Sequence, residues 1–267
     1  MEEALIVLTL FKSSVLLLLL PLTVYANEIY ITQVGTGNDD MVLDITQDGE
    51  DNKVDFSIGG SSNYIEINQK GSDGYIGYTS VWGSGASWGG DIDGNNNWFE
   101  LFQLCNQSPC GGDRIEFHVQ GNNNDVYFRQ GYTVTTGAVA SFDDYEYGGH
   151  NFLLDIHGDY NTLVGSQRSN NSGHEHNMSA YIYGDYNDVY MRQEGNQDKN
   201  MTLTINNDNN DVDMIQKNSA THSATVTLSG TYATDLYLFQ GGGTAQSYSL
   251  NQSCATTTGC TVSVTQQ

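Results

Sequence analysis

Gly184-Asp185-Tyr186-Asn187-Asp188-Val189-Tyr190-Met191-Arg192-Gln193 carries the pattern from which the rest of the chain is read. A Gly is followed three residues later by Asn, then by apolar residues two and four beyond the Asn, then by Gln six beyond it. The spacing returns at Asn63, Ile65, Ile67 and Gln69, and at Asn97, Phe99, Leu101 and Gln103. It returns again at Asn124, Val126, Phe128 and Gln130, at Asn161, Leu163, Gly165 and Gln167, and at Asn210, Val212, Met214 and Gln216. Gly60, Gly94, Gly121 and Gly158 stand before their Asn as Gly184 does, with Asn207 in that place before Asn210. Self-similarity of this kind marks a repeat architecture, each copy being one supersecondary unit.

Within the copies the chain alternates. Ile29, Ile31 and Gln33 point one way and Tyr30 and Thr32 the other, the period-two signature of a strand with one buried face. Gly49 opens a turn to Asn52 that leads into Val54, Phe56 and Ile58. A loop from Lys70 to about Ala86 is followed by an expected inward face of Trp88, Gly90 and Ile92. Met178, Ala180 and Ile182, and then Met201, Leu203 and Ile205, read as two further strands. Leu236, Leu238 and Gln240 follow Thr234 in the Asn position, and Val262, Val264 and Gln266 follow Cys260 there. The count is about 18 strands in about nine copies. One turn of each pair is short and uniform, while the turn after the Gln varies in length. The expected fold is all-β: a single β-solenoid domain over residues 27–267, about nine strand–turn–strand units stacked at about 4.8 Å into a rod on the order of 40 Å long.

The recurring amides need a reason to be at the ends of an inward face, where burial of an unpaired polar group is unfavourable. In a stack each amide donates to one neighbour and accepts from the next, which satisfies it and fixes register. The expected self-assembly ladder is therefore Asn63, Gln69, Asn97, Gln103, Asn124, Gln130, Asn161, Gln167, Asn187, Gln193, Asn210, Gln216, Gln240 and Gln266. Gly49, Gly60, Gly94, Gly121, Gly158 and Gly184 are the expected turn glycines.

Composition narrows the function. Nine Lys+Arg against 32 Asp+Glu give a formal charge of -23, the wrong sign for a nucleic-acid partner. With 38% hydrophobic and 11% aromatic residues, the chain is not a disordered acidic one. The apolar run Val15–Leu20, with Lys12 before it and Val24-Tyr25-Ala26 after it, reads as a signal peptide over residues 1–26, an uncleaved anchor being the alternative. No other stretch is apolar enough to span a membrane, so none is expected in the mature chain. Four cysteines in an exported chain suggest two local disulfides, Cys105–Cys110 and Cys254–Cys260. Asp125, Asp159, Asp185, Asp188, Asp208 and Asp211 fall in turns and outward positions, where they keep the subunit soluble. His174-Glu175-His176 lacks a third ligand and no nucleophile elbow is present, so no catalytic residue, metal or cofactor is expected.

The Gly, Asn and Gln spacing resembles the curlin repeat, Q-x-G-x-x-N-x-(A/V)-x-x-x-Q. The Asn63 copy keeps Gly60, Asn63 and Gln69, with Ile58 in place of the first Gln. Gln47, Gly49, Asn52 and Val54 match the first half of another copy, again with Ile58 at its last position. Degenerate copies extend the resemblance over nearly all of residues 28–267. The resemblance implies a curli fibre subunit or nucleator, a secreted extracellular protein of the cell surface and biofilm matrix. It also implies self-polymerisation, other curlin-type subunits as partners, and export through an outer-membrane secretion system. The greater number of copies, the long loops and the cysteines depart from the compact major subunits of that family. A second reading is a monomeric solenoid adhesin or binding module using the long aromatic loops Tyr75 to Trp88 and Tyr132 to Tyr147. A carbohydrate-active β-helix is a third, and it would require a clustered carboxylate site.

Overall fold

The computed structural model describes residues 26–34, 40–77, 90–105, 112–133, 141–142, 148–169, 171 and 173–267. The described residues are all-β, in two parallel sheets of ten and nine strands with a small antiparallel pair, Tyr132–Thr133 with Ser141–Phe142, beside them. Each rung contributes a strand to the first sheet and, after a turn, one to the second. The first rung is Glu28–Val34 with Val42–Glu50, and the second Lys53–Gly59 with Tyr64–Ser72. The fourth is Arg114–Gln120 with Asp125–Gln130, and the fifth Asn151–Ile156 with Thr162–Arg168. The sixth is His176–Met178 with Asp188–Glu194, and the seventh Lys199–Asn200 with Asp211–Gln216. The eighth is His222–Gly230 with Thr234–Gln240, and the ninth Gln246–Cys254 with Cys260–Gln266. The fold is a β-solenoid of nine rungs, and the register is exact repeat on repeat: Val189 pairs Val212, Met191 pairs Met214 and Gln193 pairs Gln216.

The third rung corrects the expected strand at Trp88. Its first-sheet strand is in two pieces, Tyr75–Ile76 and Gly90–Asp93, with Trp98–Leu104 as its second-sheet strand. Val54 pairs Ile76 and Phe56 pairs Gly90, so Ile76 takes the inward place given to Trp88, which lies outside the described residues. The chain leaves the sheet at Gly77 and re-enters at Gly90, whose amide donates to the Gly77 carbonyl. A Cβ on Gly90 would lie 2.5 Å from Phe56 Cβ and 2.7 Å from Gly77 Cα, so only glycine closes the strand around the insertion. Insertions alter the length of a rung without altering its register: successive ladder glutamines are 22 residues apart at Gln47–Gln69 and 37 at Gln130–Gln167.

The first-sheet strands of the sixth and seventh rungs are also shorter than expected. Tyr181, Ile182, Tyr183, Thr204 and Asn206 adopt positive φ, which breaks the regular pleat. Ala180, Ile182, Leu203 and Ile205 nevertheless stay buried, and the rungs remain bonded, Thr204 to the Ala180 carbonyl and Asn206 to that of Ile182.

The core is one file of apolar side chains between the sheets. Because the file is narrow, volumes compensate between neighbouring rungs. Phe128 and Phe152 stack with centroids 3.6 Å apart, and Gly165, at an inward position, leaves the space they fill. A Cβ there would meet the Phe128 ring at 2.4 Å. Likewise Phe56 and Phe117 meet edge to face at 5.6 Å across the missing side chain of Gly90.

Candidate assembly surface: ladders and open ends

Nine glutamines form one unbroken file. Gln47, Gln69, Gln103, Gln130, Gln167, Gln193, Gln216 and Gln240 each donate from Nε2 to Oε1 of the next, ending at Gln266, over 2.8–3.1 Å. The second Nε2 hydrogen crosses to a backbone carbonyl of the opposite sheet, as from Gln193 to Asn177 and from Gln216 to Asn200. The file thus links rung to rung and sheet to sheet. Gln47 belongs to it, though its turn is unlike the others in sequence.

The asparagines form a second file running the opposite way. Oδ1 of each accepts the backbone N–H of the next: Asn63 from Asn97, then Asn97 from Asn124, Asn124 from Asn161, Asn161 from Asn187, and Asn187 from Asn210. Asn210 accepts from Thr234, which pairs in register with Cys260, as the spacing implied. Nδ2 of Asn63, Asn97 and Asn124 bonds the carbonyl of the next rung's turn glycine, Gly94, Gly121 and Gly158. Asn63, Asn97 and Asn124 thereby satisfy both backbone groups that the tight turn leaves over, while Nδ2 of Asn161, Asn187 and Asn210 donates to Oδ1 of the preceding Asn.

The turn glycines are required for close approach. A Cβ on Gly60, Gly94, Gly121, Gly158 or Gly184 would stand 1.8–2.2 Å from the carbonyl oxygen of the next rung. Gly49 is different from its expected companions. It stacks on Gly71 at the opposite corner of the solenoid, the corner that follows the Gln, where the Gly49–Asn52 turn repeats the same Asn-to-glycine bond through Asn52 Nδ2 and Gly71 O.

Two further columns escaped the sequence reading. One runs along the outside of the turns: Ser61, Asn95, Asn122, Asp159 and Asp185 each donate a backbone N–H to Oδ1 of the next member, ending at Asp208. Three of the acidic turn residues are therefore ladder members as well as charges. The other column lies at the opposite corner, at the entry to the first-sheet strands: Asn27, Asn52, Gly74, Asp113 and His150 just before a strand, and His176, Lys199 and His222 as the first residue of one. From Asp113 onward its side chains are buried. Asp113 Oδ1 accepts from His150 N, His150 Nδ1 from His176 N, and the His150 and His176 rings stack at 4.8 Å. Lys199 Nζ donates to three carbonyls, those of Gln197, Asn218 and Ala220, one for each ammonium hydrogen. Burial drives the Asp113 carboxyl up to about 7, the His176 imidazole down to about 4 and the Lys199 ammonium down to about 8, and it lowers His222 as well. Alignment of the residues at the entry to each first-sheet strand would have exposed this column.

The His174-Glu175-His176 segment divides. His174 Nδ1 stands 3.0 Å from an Asp198 oxygen at the surface, whereas buried His176 turns inward and donates from Nε2 to the Arg168 carbonyl. Cys254 and Cys260 form a disulfide. Cys110, the expected partner of Cys105, lies outside the described residues, as do the segment 1–25 and most of both long loops. Among the described residues no helix is long and apolar enough to cross a membrane.

Both ends of the stack are open among the described residues. No described strand pairs the outer edge of the first or the ninth rung. Ile29 is 49% exposed and Leu43 36%, where their counterparts Val54 and Ile65 in the second rung are fully buried. Tyr248, Leu250, Val262 and Val264 at the far end are only partly buried. No protein-family model, curated protein or solved structure matches this chain.

Proposed function

We propose that this chain is an exported, non-catalytic structural subunit that polymerises end to end into curli-like fibres at the cell surface, serving matrix and attachment. The observation that carries this reading is the pair of open ends with in-register ladders running up to them. An unpaired parallel edge over a half-exposed apolar face is a template for another strand. The first rung presents an inward Gln, Gln47, and the last presents Gln266, so a second copy would continue the same file. Repetition of one amide contact per rung penalises slippage, as in other stacked β-structures. Fibre identity, partner subunits of curlin type, and export through an outer-membrane secretion system rest on the motif resemblance alone.

Charge sets the conditions. Asp188, Asp211 and Asp235 stand in register on one outer column, and burial and then Asp211 push the Asp188 carboxyl up. A net charge of -23 repels a second copy, so added salt is expected to accelerate joining. The test is seeded growth of the purified chain, followed by amyloid-dye fluorescence and electron microscopy in dilute buffer and with added salt. Fibres with a cross-β spacing near 4.8 Å, growing more slowly for Gln193→Ala plus Gln216→Ala, support the reading. A folded monomer that persists at high concentration with seeds overturns it and favours a monomeric binding module.

A further inference from the structure

A cluster on the outer face of the first sheet is independent of the assembly reading. His118 of the fourth rung and Asp155 and His157 of the fifth bring one donor atom each within 4.8 Å of one another. His118 and Asp155 are paired across the rungs, and His157 follows two residues on along the same face. Asp155 is out of character there. The strand alternates inward and outward until Leu154, Asp155 and Ile156, all of which are buried. Its carboxylate points away from the core, yet its side chain is 0% exposed.

The two oxygens of Asp155 are not alike. Oδ2 accepts a hydrogen bond from the Tyr183 hydroxyl at 3.0 Å. Oδ1 is buried and pairs with His157 Nε2 at 2.8 Å, outside hydrogen-bond geometry. A buried carboxylate oxygen gathered with two imidazole nitrogens, and without a well-aligned hydrogen bond, is a place where a cation shared by all three groups is favourable. Around it stand the supporting groups that a metal site uses. Asp91 Oδ2 is 3.5 Å from His118 Nδ1, in the place of a carboxylate that orients a ligating imidazole, and Asp91 Oδ1 is itself held by the Ser57 hydroxyl at 2.6 Å. Tyr183 fixes Asp155 in the same manner while its ring stacks on His157 at 4.8 Å.

The geometry points to a divalent transition-metal site of zinc type, with His118, Asp155 Oδ1 and His157 as ligands and a fourth position open to solvent. Two imidazoles and one carboxylate are a borderline donor set that suits Zn²⁺ over Ca²⁺ or Mg²⁺, which take oxygen donors. Ligands held at about 2.1 Å from one ion stand up to about 4 Å apart, so closure requires roughly an ångström of side-chain adjustment. The ion would clamp the fourth rung to the fifth, with positioning groups from the second, third and sixth.

The full chain, stripped with a chelator, is titrated with Zn²⁺ by calorimetry and with Co²⁺ by visible absorption, which reports ligand geometry directly. One ion per chain is expected, with the intense d–d bands of a tetrahedral nitrogen–oxygen site. His157→Ala and the isosteric Asp155→Asn are each expected to weaken binding by at least about 100-fold, and Tyr183→Phe, a positioning change, by about 10-fold. His157 is partly exposed, so its loss leaves the fold intact, which thermal unfolding without metal verifies. Absence of binding by the wild type overturns the assignment. So does unchanged binding by His157→Ala, or loss of binding on His174→Ala at the surface Asp198 pair.

Discussion

The two corners of the solenoid solve the same problem with different chemistry. At the Asn corner, six asparagines from Asn63 to Asn210 repeat one neutral contact, each accepting from the backbone of the next. At the Gln-side corner the first two rungs use the same device, Asn52 N donating to Asn27 Oδ1 and Asn52 Nδ2 to the Gly71 carbonyl. Beyond them that column changes to Asp113, His150, His176, Lys199 and His222, all buried. The difference teaches that a stack demands equivalent hydrogen-bonding positions, and not identical residues. It also separates two properties: the buried Asn file contains no titrating group, and the buried column of the other corner ties rung stability to protonation.

The sharpest break is Gly121→Val. Its side chain would overlap the Gly158 carbonyl, 2.1 Å from the Cβ position, at a backbone φ of +137°. Positive-φ strain of about 1–3 kcal/mol adds to overpacking of similar size, so a loss of more than about 3 kcal/mol is expected in denaturant unfolding. Asn124→Leu comes next. It strands the Asn161 amide and removes the donor to the Gly158 carbonyl, for a loss of about 2–4 kcal/mol. Because no ionisable group is involved, that loss is expected to be the same at acid and neutral pH.

The opposite corner is expected to behave otherwise. His176 has a folded pKa near 4 against an ordinary 6.5, so the unfolded chain binds more protons between these values and stability falls as pH drops through that window. Asp113 has a folded pKa near 7 against 3.8, so the folded chain binds the extra proton and stability falls as pH rises through its window. Unfolding curves measured from pH 4 to 7 should therefore diverge. Relative to wild type, His176→Gln gains stability toward acid and Asp113→Asn gains it toward neutrality, each by on the order of 2 kcal/mol. Parallel curves would sink the contrast between the corners. The smallest effect is expected at the exposed stack of Tyr160 on Tyr186, 4.9 Å apart, both residues at positive φ just before the corner Asn. Tyr186→Asn gives up the ring contact but relieves the left-handed conformation that Asn tolerates, so the net change is within about 0.5 kcal/mol.

Legibility followed repetition. The Gln and Asn files were readable because each residue type recurs at a fixed offset from an apolar pair, and a buried amide there has few other satisfactory environments. The turn column from Ser61 to Asp208 was hidden by its mixture of Ser, Asn and Asp, three residue types that present an oxygen at the same place. The charged corner was hidden further, since Asp113, His150 and Lys199 share neither size nor sign. Ile76 was displaced from its rung by the insertion before Gly90, a break that a fixed offset does not anticipate.

The two-residue alternation, the stacked all-β architecture, and every member of the two amide files except Gln47 were determined by the sequence alone. These are local facts: a side-chain period and a turn length act within one rung, and each copy states them again. Only the tertiary structure decided which strand piece completes the third rung, which corner Gly49 serves, and that Asp113, His150, His176 and Lys199 share one buried column. It alone brought His118, Asp155 and His157 together on an outer face. These juxtapositions join residues from different rungs, and their spacing in the chain depends on insertions whose lengths the stacking register does not constrain.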